Sequence, residues 1–419
     1  MNFARRSVGV LAATGLIAAA LTGCSSDSGK SESKTDSASN SARGNITFAM
    51  GKNDTDKVKP IIEKWNAAHP NEKVELKELA GEADAQRDTL VQSLQAKKSD
   101  YDVMALDVIW TADFAAHQWL APLEGDLKVD TSKLLKSTVE SATYNGKLYA
   151  VPQNTNGQLL YRNTELATQA PQKFDDIKAS CAQLSGQDCL TLQLKQYEGL
   201  TVNTVGFMEG WGGKVVDTDG KTPKVDSEQS KAGLQALVDA YKDGTIAKSS
   251  ISATEEETNL AFTEGKTAYA INWPYMYSNA EKGALKGKFE VQPLVGKDGV
   301  GVSTLGGYNN GININSKHKA TARDFIEFII SEENQKSFAD NSFPPVLASI
   351  YDDQQLVEKY PYLPALKKSL EAASPRPVSP FYPAISKAVQ DNSYAALTAG
   401  KSVDDATRDM KAAIQNAAK

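Results

Sequence analysis

The chain has 419 residues, with 46 Lys and Arg against 52 Asp and Glu, so its formal net charge is −6. A mildly acidic chain without a basic run argues against nucleic acid as a partner, because phosphate binding depends on clustered positive charge. The three histidines, His69, His117 and His318, are scattered and form no recognisable metal-ligand motif. The length is too great for one ordinary domain and suits two.

The N-terminus has the pattern of a secretory signal. Arg5 and Arg6 precede an apolar run from Val8 to Leu21, which ends in Leu21-Thr22-Gly23-Cys24. The run is short for a bilayer span, which needs about 20 apolar residues, and it has the charge and small residues of a cleaved leader. A Cys directly after Leu-x-Gly is typical of bacterial lipoproteins. We therefore expect a signal peptide over residues 1–23 and acyl chains, palmitate among them, on Cys24; an ordinary signal peptide with an incidental Cys is the alternative.

The segment after the leader predicts a tether. Residues 24–44 are rich in Ser and contain no aromatic residue, so they cannot bury enough apolar surface to fold. A flexible linker on a lipid anchor places the rest of the chain at the extracytoplasmic face of a bacterial cell membrane. Removal of the leader takes away Arg5 and Arg6, so the net charge moves from −6 to −8.

Two further cysteines lie close together in the sequence. Cys181 and Cys189 are eight positions apart, and outside the cytoplasm a neighbouring pair favours a disulfide. Two free thiols and a metal pair are the alternatives, although none of the three His residues lies near the pair. Such a bridge stabilises a local loop and indicates little about function.

Strands and helices alternate from Asn45 onward. A strand, a helix, a second strand, a second helix and a third strand are predicted at Asn45–Met50, Val58–Trp65, Lys73–Leu79, Asp84–Lys97 and Tyr101–Leu106. This order is typical of a mainly parallel sheet with helices on both faces. Ligands of such sheets bind beyond the carboxyl ends of the strands. The side chains that follow the first and third strands are Asn53, Asp54, Asp107 and Trp110.

The middle of the chain predicts a second α/β unit. Its predicted strands are Leu148–Pro152, Leu159–Arg162 and Thr267–Asn272, and its predicted helices are Phe174–Gln183 and Glu228–Tyr241. Further helices are predicted at Ala320–Ile330 and over the tail from Ala384 to Lys419. No internal repeat is evident.

Polar and aromatic residues recur after these strands in the combination that sugars require. Sugar hydroxyls need directional polar partners, whereas their C–H faces stack on aromatic rings. Trp273 and Tyr275 follow a strand, and Pro274 between them predicts a loop. The polar stretch Gln153–Gly157 lies between two apolar strands, and the pair Gly306 and Gly307 permits close approach of the backbone. These residues, with Arg376 held between two prolines, form the candidate site.

Each candidate also has a purely structural interpretation. Trp273 is equally the type of residue that anchors a loop by packing, and Arg376 is the type that pins a C-terminal segment. Asp107 is a preferred residue for capping the helix that follows it. Gly306 and Gly307 are compatible with a tight turn alone.

The order of these segments resembles the extracellular solute-binding proteins of carbohydrate ABC importers, and within them the trehalose/maltose-binding branch of the maltose-binding family. The resemblance covers nearly the whole chain after the leader. The segments that carry it are Tyr101–Trp110, Phe114–Ala115, Trp119–Leu123, Gly146–Pro152, Leu160–Asn163, Asn272–Tyr275, Gly306–Tyr308 and Arg376–Val378.

The resemblance implies an α/β, two-lobed periplasmic-binding-protein-like fold with three hinge crossovers. We expect the crossovers near Gln153–Gly157, Thr304–Ile312 and Ser331–Ser342. The N-terminal lobe would then comprise residues 45–153 and 305–335, and the C-terminal lobe residues 154–304 and 336–419. The resemblance calls for no cofactor, no metal and no catalytic residue.

The site residues follow from the resemblance one at a time. Asp107 and Arg376 match residues that bind sugar hydroxyls, Trp273 and Tyr275 match an aromatic pair, and Gly306 and Gly307 match a pair that hydrogen-bonds through the backbone. Asn156 matches a polar residue at the first crossover, but the spacing before Tyr161 is one residue short, so Asn154 and Thr155 are alternatives. Tyr308 stands where the trehalose branch tends to carry Trp, which leaves the sugar open. Asn53, Asp54 and Arg87 are further matches.

The function implied is the capture of a glucose-containing disaccharide, such as trehalose or maltose, by a monomer that delivers it to the transmembrane subunits of an ABC permease. Its only expected contact with the membrane is the lipid anchor. The alternatives are a binding protein for another sugar or solute class and an extracellular glycosidase, which would need two catalytic carboxylates at a set separation. Asp107 is the carboxylate that the sequence assigns to the site with the clearest match, which argues against an enzyme and against a polyamine site.

Overall fold

The computed structural model describes residues 40–217 and 219–418. The predicted signal peptide, Cys24 and the linker up to residue 39 therefore lie outside the described residues. Within the described ranges, no helix combines the length and apolar character that a membrane crossing requires.

The described residues form twelve strands. They are β1 (Ile46–Gly51), β2 (Val74–Leu79), β3 (Val103–Asp107), β4 (Thr143–Tyr144), β5 (Lys147–Leu148), β6 (Ala150–Gly157), β7 (Leu159–Asn163), β8 (Asp188–Thr191), β9 (Thr267–Asn272), β10 (Phe289–Pro293), β11 (Thr304–Ile312) and β12 (Ser374–Pro375).

Sixteen α-helices accompany these strands in the described ranges. They are α1 (Thr55–Ala68), α2 (Ala83–Gln95), α3 (Thr111–Ala116), α4 (Lys136–Ser141), α5 (Phe174–Cys181), α6 (Glu198–Gly210), α7 (Glu228–Asp243), α8 (Glu255–Thr263), α9 (Tyr275–Ala280), α10 (Lys319–Ile329), α11 (Glu332–Asp340), α12 (Ala348–Asp352), α13 (Gln354–Lys359), α14 (Leu363–Glu371), α15 (Tyr382–Thr398) and α16 (Val403–Ala417).

The first sheet contains the predicted parallel β-α-β-α-β unit. β1 pairs in parallel with β2 and with β3, so the carboxyl ends of these strands share one edge. β11 runs antiparallel to β3 and to β6, and it also pairs with β12. The α/β class predicted from the alternating pattern is confirmed.

The second sheet has the order β10-β7-β9-β8. β7 follows β6 after a single residue, Gln158, so the chain passes directly from the first sheet to the second. β11 returns from the second sheet to the first after β10. The molecule thus has the two-lobed fold that the resemblance implies, with its strands crossing between the lobes.

Each lobe has its own hydrophobic core. Phe48, Val103 and Phe325 belong to the core beside the first sheet, whereas Leu190, Leu237 and the helical tail surround the second. The helices of residues 332–371 lie at the junction, because Phe338 shares the first core while α14 packs against β10. The lobe boundary at residue 335 stays a prediction.

Three local features differ from, or sharpen, the predictions. The prediction of a loop after Trp273 is wrong, since Pro274 immediately precedes helix α9; Pro fits the first turn of a helix, where its missing N–H needs no partner. The polar stretch Gln153–Gly157 is the second half of β6 itself. The helical tail is divided at Gly400, whose φ of 70° separates α15 from α16.

The cysteine pair is bridged. Cys181 and Cys189 form a disulfide with a Cα–Cα distance of 5.3 Å, which joins the end of α5 to the beginning of β8. The disulfide favoured by the sequence is confirmed, and the bridge lies at the edge of the second core.

Candidate functional site

A cavity opens between the two lobes, at the carboxyl ends of β1 and β3. Its empty space, including the mouth and open solvent there, measures about 640 Å³. We call it the main cavity, and its lining residues are Asn53, Asp54, Gly81, Ala83, Gln86, Asp107, Asn156, Glu198, Gly199, Val202, Glu255, Trp273, Tyr275, Gly306, Gly307, Tyr308 and Arg376.

The first lobe contributes polar side chains from its strand ends. Asn53 donates to the carbonyl of Gly81 at 3.2 Å. Asp54 is buried, and its Oδ1 atom has no hydrogen-bond partner among the described residues. Burial raises the pKa of Asp54 to about 7, although the positive charge of Lys57 opposes that shift. An unsatisfied buried oxygen at the cavity wall is well suited to accept a hydrogen bond from a solute hydroxyl.

The crossover strands form the floor of the cavity. Asn156 near the end of β6 pairs with Gly306 of β11, and its Oδ1 atom also lacks a partner within the described ranges. A Cβ atom on Gly306 would lie 3.0 Å from the Trp273 ring, and one on Gly307 would lie 2.4 Å from the Asn154 carbonyl oxygen. The two glycines therefore permit close packing of backbone and ring at this point.

The second lobe contributes aromatic rings. Trp273 follows β9 and Tyr275 begins α9. The Tyr275 hydroxyl donates to the Glu256 carboxylate at 3.1 Å. Burial raises the pKa of Glu255 above its ordinary value, and hydrogen bonds from the side chains of Tyr197 and Trp273 oppose that shift. The rings thus stand beside carboxylates of the second lobe.

A buried ionic cluster joins the two lobes behind the rings. Arg376 donates to Asp107 Oδ1 and to Glu198 Oε1, both at 2.7 Å. Asp107 also accepts from the backbone N–H of Ile109 at 3.3 Å, so it caps the turn after β3 as well. Asp107 therefore caps a turn and Arg376 pins the C-terminal segment, as their structural interpretations state. Both residues also line the main cavity.

Two of the predicted site residues do not line the main cavity. Arg87 pairs with Asp113 at 2.5 Å and faces a neighbouring interlobe cavity. Asn154 is buried beneath β11, where its Oδ1 atom accepts from the backbone N–H of Tyr308 at 3.1 Å. Asn154 therefore fixes the backbone under Tyr308, and Asn156 is the residue of this stretch that reaches the cavity.

The sequence reasoning missed several lining residues, above all Gln86, Glu198 and Glu255. The two glutamates occupy the first turns of α6 and α8, where acidic residues are common because they complement the helix dipole. With Asp54 and Asp107 they bring the carboxylates of the lining to four. The sequence assigns Asp54 and Asp107 to the site; the other two come from helix ends of the second lobe.

The arrangement can bind a small polar solute. Aromatic faces accept its apolar side, and carboxylates, amides and the guanidinium accept or donate to its polar groups. Within the described residues, no group of three or more His, Cys, Asp or Glu is placed to hold a metal ion. Fold and cavity together define a two-lobed, cleft-type binding protein.

Comparisons with known proteins agree with this class. The sequence profile of the bacterial extracellular solute-binding protein family matches residues 61–365. The chain belongs to that family, and it is accordingly an extracytoplasmic binding protein rather than an enzyme.

Individual relatives match half of the chain or more. A probable ABC transporter-binding protein of Deinococcus radiodurans is 28% identical over 366 residues, which are 82% of this chain and 86% of the relative. A maltooligosaccharide ABC transporter solute-binding lipoprotein of Streptococcus pneumoniae is 24% identical over 220 residues, about half of each chain, at 51%.

Solved structures share the fold. Maltose-bound MalE3 of T. maritima superimposes with a TM-score of 0.84 at 30% identity, over 89% of this chain and 99% of its own. The GacH receptor of Streptomyces glaucescens has a TM-score of 0.81 at 24% identity, over 90% of this chain and 98% of its own, and shows likeness of fold alone.

Proposed function

We propose that the protein is the substrate-binding component of an ABC sugar importer, that it binds a glucose-containing disaccharide such as trehalose or maltose in the main cavity, and that acyl chains on Cys24 anchor it to the outer face of the membrane. The observation that carries the proposal is the composition of the main cavity. The rings of Trp273, Tyr275 and Tyr308 stand there beside hydrogen-bonding groups whose polar atoms are partly unsatisfied.

The chemistry of a disaccharide matches this lining on both counts. Its C–H faces stack on indole and phenol rings, and its hydroxyls donate to carboxylates or accept from a guanidinium. We assign stacking to Trp273 and Tyr275 and hydroxyl recognition to Asp54, Asp107, Asn156 and Arg376. Asn53, Tyr308 and the backbone of Gly306 and Gly307 complete the proposed contacts, while Asn154 holds the strand beneath them.

The relatives support the sugar class and the importer. MalE3 of T. maritima is described with maltose bound, and the pneumococcal relatives are described as maltooligosaccharide lipoproteins of an ABC transporter. The lipoprotein description also supports the anchor on Cys24. We propose that the protein acts as a monomer whose lobes close on the sugar and then dock on the permease, since binding contacts made by both lobes favour the closed population.

Calorimetric titration of the purified soluble part with trehalose, maltose, sucrose, maltotriose and cellobiose tests the ligand. We expect trehalose or maltose to bind most tightly. Spermidine belongs in the same series, because four carboxylates line the cavity. Heat from spermidine with none from any of the sugars would refute the sugar assignment.

Mass spectrometry of the protein from membranes tests the anchor. We expect an N-terminal Cys24 that carries acyl chains, and we expect the C24S variant to appear in the medium rather than in the membrane fraction. Wild-type protein that begins at another residue, or that lacks acyl chains, contradicts this part of the proposal.

A further inference from the structure

A second interlobe cavity adjoins the main one. It has about 850 Å³ of empty space, including its open mouth, and its lining includes Asp84, Arg87, Glu198, Tyr382, Ser386 and Gln390. These side chains come from α2 on one lobe, and from α15 and the start of α6 on the other. Its carboxylates and amides are of the same kinds as those of the main cavity.

Glu198 is common to both cavities and stands between them. Arg376, which lines the main cavity, donates to Glu198 Oε1 at 2.7 Å, and Tyr382, which lines the second cavity, donates to the same oxygen at 2.5 Å. Ser386 donates to the other carboxylate oxygen. Three donors hold this carboxylate in place, two of them from α15, so it cannot swing aside without leaving buried partners unpaired.

We infer that the cluster of Glu198, Arg376 and Tyr382 is an end wall that sets the length of the ligand. The wall confines a bound sugar to the main cavity and closes off a second space in which further sugar units would find hydrogen-bonding partners. This inference rests on the proposed sugar-binding function and names the residue that limits its substrate range, namely Glu198.

Removal of the Glu198 side chain opens the wall. We expect the E198A variant to join the two cavities, because the side chain is the lining element that they share. The E198Q variant keeps the volume and leaves the wall shut, so it separates the steric effect from the loss of charge. The E255A variant removes another glutamate of the main cavity, and Glu255 does not line the second cavity.

The test is calorimetric titration of wild type and the three variants with trehalose, maltose, maltotriose and maltotetraose. We expect wild type to bind maltotetraose at least tenfold more weakly than maltose. In E198A the ratio of the Kd for maltotetraose to the Kd for maltose should fall by at least fivefold. In E198Q and E255A this ratio should stay within twofold of wild type, whatever happens to absolute affinity. A crystal structure of E198A with maltotetraose should then show sugar units in the second cavity.

Several results would overturn the inference. One is a wild type whose affinity for maltotetraose equals its affinity for maltose. Another is an E198A variant whose ratio of Kd values for these two sugars equals that of wild type. The second result would place the end of the sugar at the side of Asn53, where a third cavity begins. If E198A does not fold by its thermal transition, E198S serves instead, because it retains a hydroxyl for Arg376. A wild type that binds none of the disaccharides refutes the proposed function itself, which is a distinguishable outcome.

Discussion

At the scale of single residues, Trp273 owes its position to its neighbours. Its carbonyl oxygen accepts from the Tyr161 hydroxyl at 2.9 Å, and its backbone N–H donates to Asn272 Oδ1 at 2.8 Å. Its ring stands against Gly306, where a side chain would collide with it. The two hydrogen bonds thus fix the backbone of Trp273, and its ring lines the main cavity.

The W273A substitution tests the stacking assignment. Stacked contacts are worth about 0.5–1.5 kcal/mol beyond burial of area, so we expect the Kd of the best sugar to rise by about two- to thirteenfold or more. The W119A substitution is the matched control, since Trp119 stacks on His117 and lies outside the main cavity. If W273A binds with wild-type affinity, the ring does not contact the sugar.

Gly307 is required by the backbone rather than by the ligand alone. Its φ is 119°, and a Cβ atom there would lie 2.4 Å from the Asn154 carbonyl oxygen. We expect G307A to lower the free energy of unfolding by roughly 1–3 kcal/mol, the cost of such a backbone conformation for a residue with a side chain. Urea unfolding of G307A beside G299A, whose position has open space, measures the difference; equal stability of the two variants contradicts this account.

How far the site can be predicted from sequence depends on where each residue lies. Asp107 ends β3 and Trp273 directly follows β9. Because strand ends of α/β sheets converge, their placement in one cavity follows from the pattern. Glu198 and Glu255 begin helices of the second lobe, and nothing local distinguishes them from acids that merely complement a helix dipole. Arg87 directly follows Gln86 in α2 and therefore lies on a different face of the helix, away from the main cavity, a distinction that depends on how the helix packs.

At the scale of elements, the beginning of α2 bridges the cleft. Lys195 pairs with Glu82, and Gln390 donates to Asp84 at 3.2 Å. Both contacts join the first lobe to the second beside the main cavity. They lie at the rim, and the side chains of Lys195 and Glu82 are 41% and 38% exposed, so water and salt screen their attraction.

The K195A substitution measures the contribution of that rim contact to closure. An exposed pair is worth about 0.2–1 kcal/mol, so we expect the Kd of the sugar to rise by about 1.4- to fivefold, with a smaller effect at 1 M salt. The K266A substitution is the control, because Lys266 pairs with Glu264 at the surface, away from the cavities. An affinity for sugar that does not change at low salt would show that the rim pair adds nothing to closure.

The disulfide is expected to stabilise the second lobe without affecting binding. The bridge closes a loop of eight positions between α5 and β8, for which the loop-entropy relation gives about 2.5 kcal/mol. We expect the C181S/C189S double variant to lose about that much unfolding free energy in urea and to bind sugar as wild type does. A change in affinity larger than twofold would instead connect this loop to the site.

Most elements follow from their patterns because their propensities agree with their packing. β9 is predicted over the same residues that form it, since its alternation and its flanking turns coincide. Pro274 misled the prediction because a single Pro is compatible both with a loop and with the first turn of a helix. The choice between the two is made by Met276, whose side chain is fully buried in the core beside β7 and β9.

At the scale of the whole molecule, the crossover strands couple the lobes. β6 and β11 pair over seven residues in the first sheet. β6 continues through Gln158 into β7 of the second sheet, and β11 follows β10 of that sheet. The parallel β-α-β-α-β unit was predictable from the sequence pattern, whereas β8, β10 and the position of helices α11–α14 at the junction were not. Residues that share an apolar face can pack on either lobe, and only the assembled tertiary structure selects one.

The titration of buried carboxyls gives stability a dependence on pH. Burial raises the pKa of Asp54, Glu198 and Glu209 to about 7 in each case. Between about pH 4.5 and 7 the folded chain therefore holds protons that the unfolded chain has released. The free energy of unfolding that these groups contribute is therefore greatest at a pH below the ordinary pKa of a carboxyl group, and it is lost as the pH rises through about 7. Exposed carboxyls such as Asp219, with a pKa lowered to about 2, have finished titrating well below this window.

We expect the thermal midpoint of the sugar-free protein to be lower at pH 8 than at pH 5.5. Glu209 isolates the effect, because it lies outside both cavities, with a hydrogen bond to the Ser374 side chain and the positive charge of Lys214 opposing the shift. The E209Q variant removes one of the three groups, so its midpoint should fall less between the two pH values than that of wild type. The E264Q variant, which replaces an exposed glutamate, should keep the wild-type difference. If E209Q and wild type lose the same number of degrees, the proton is not held at Glu209.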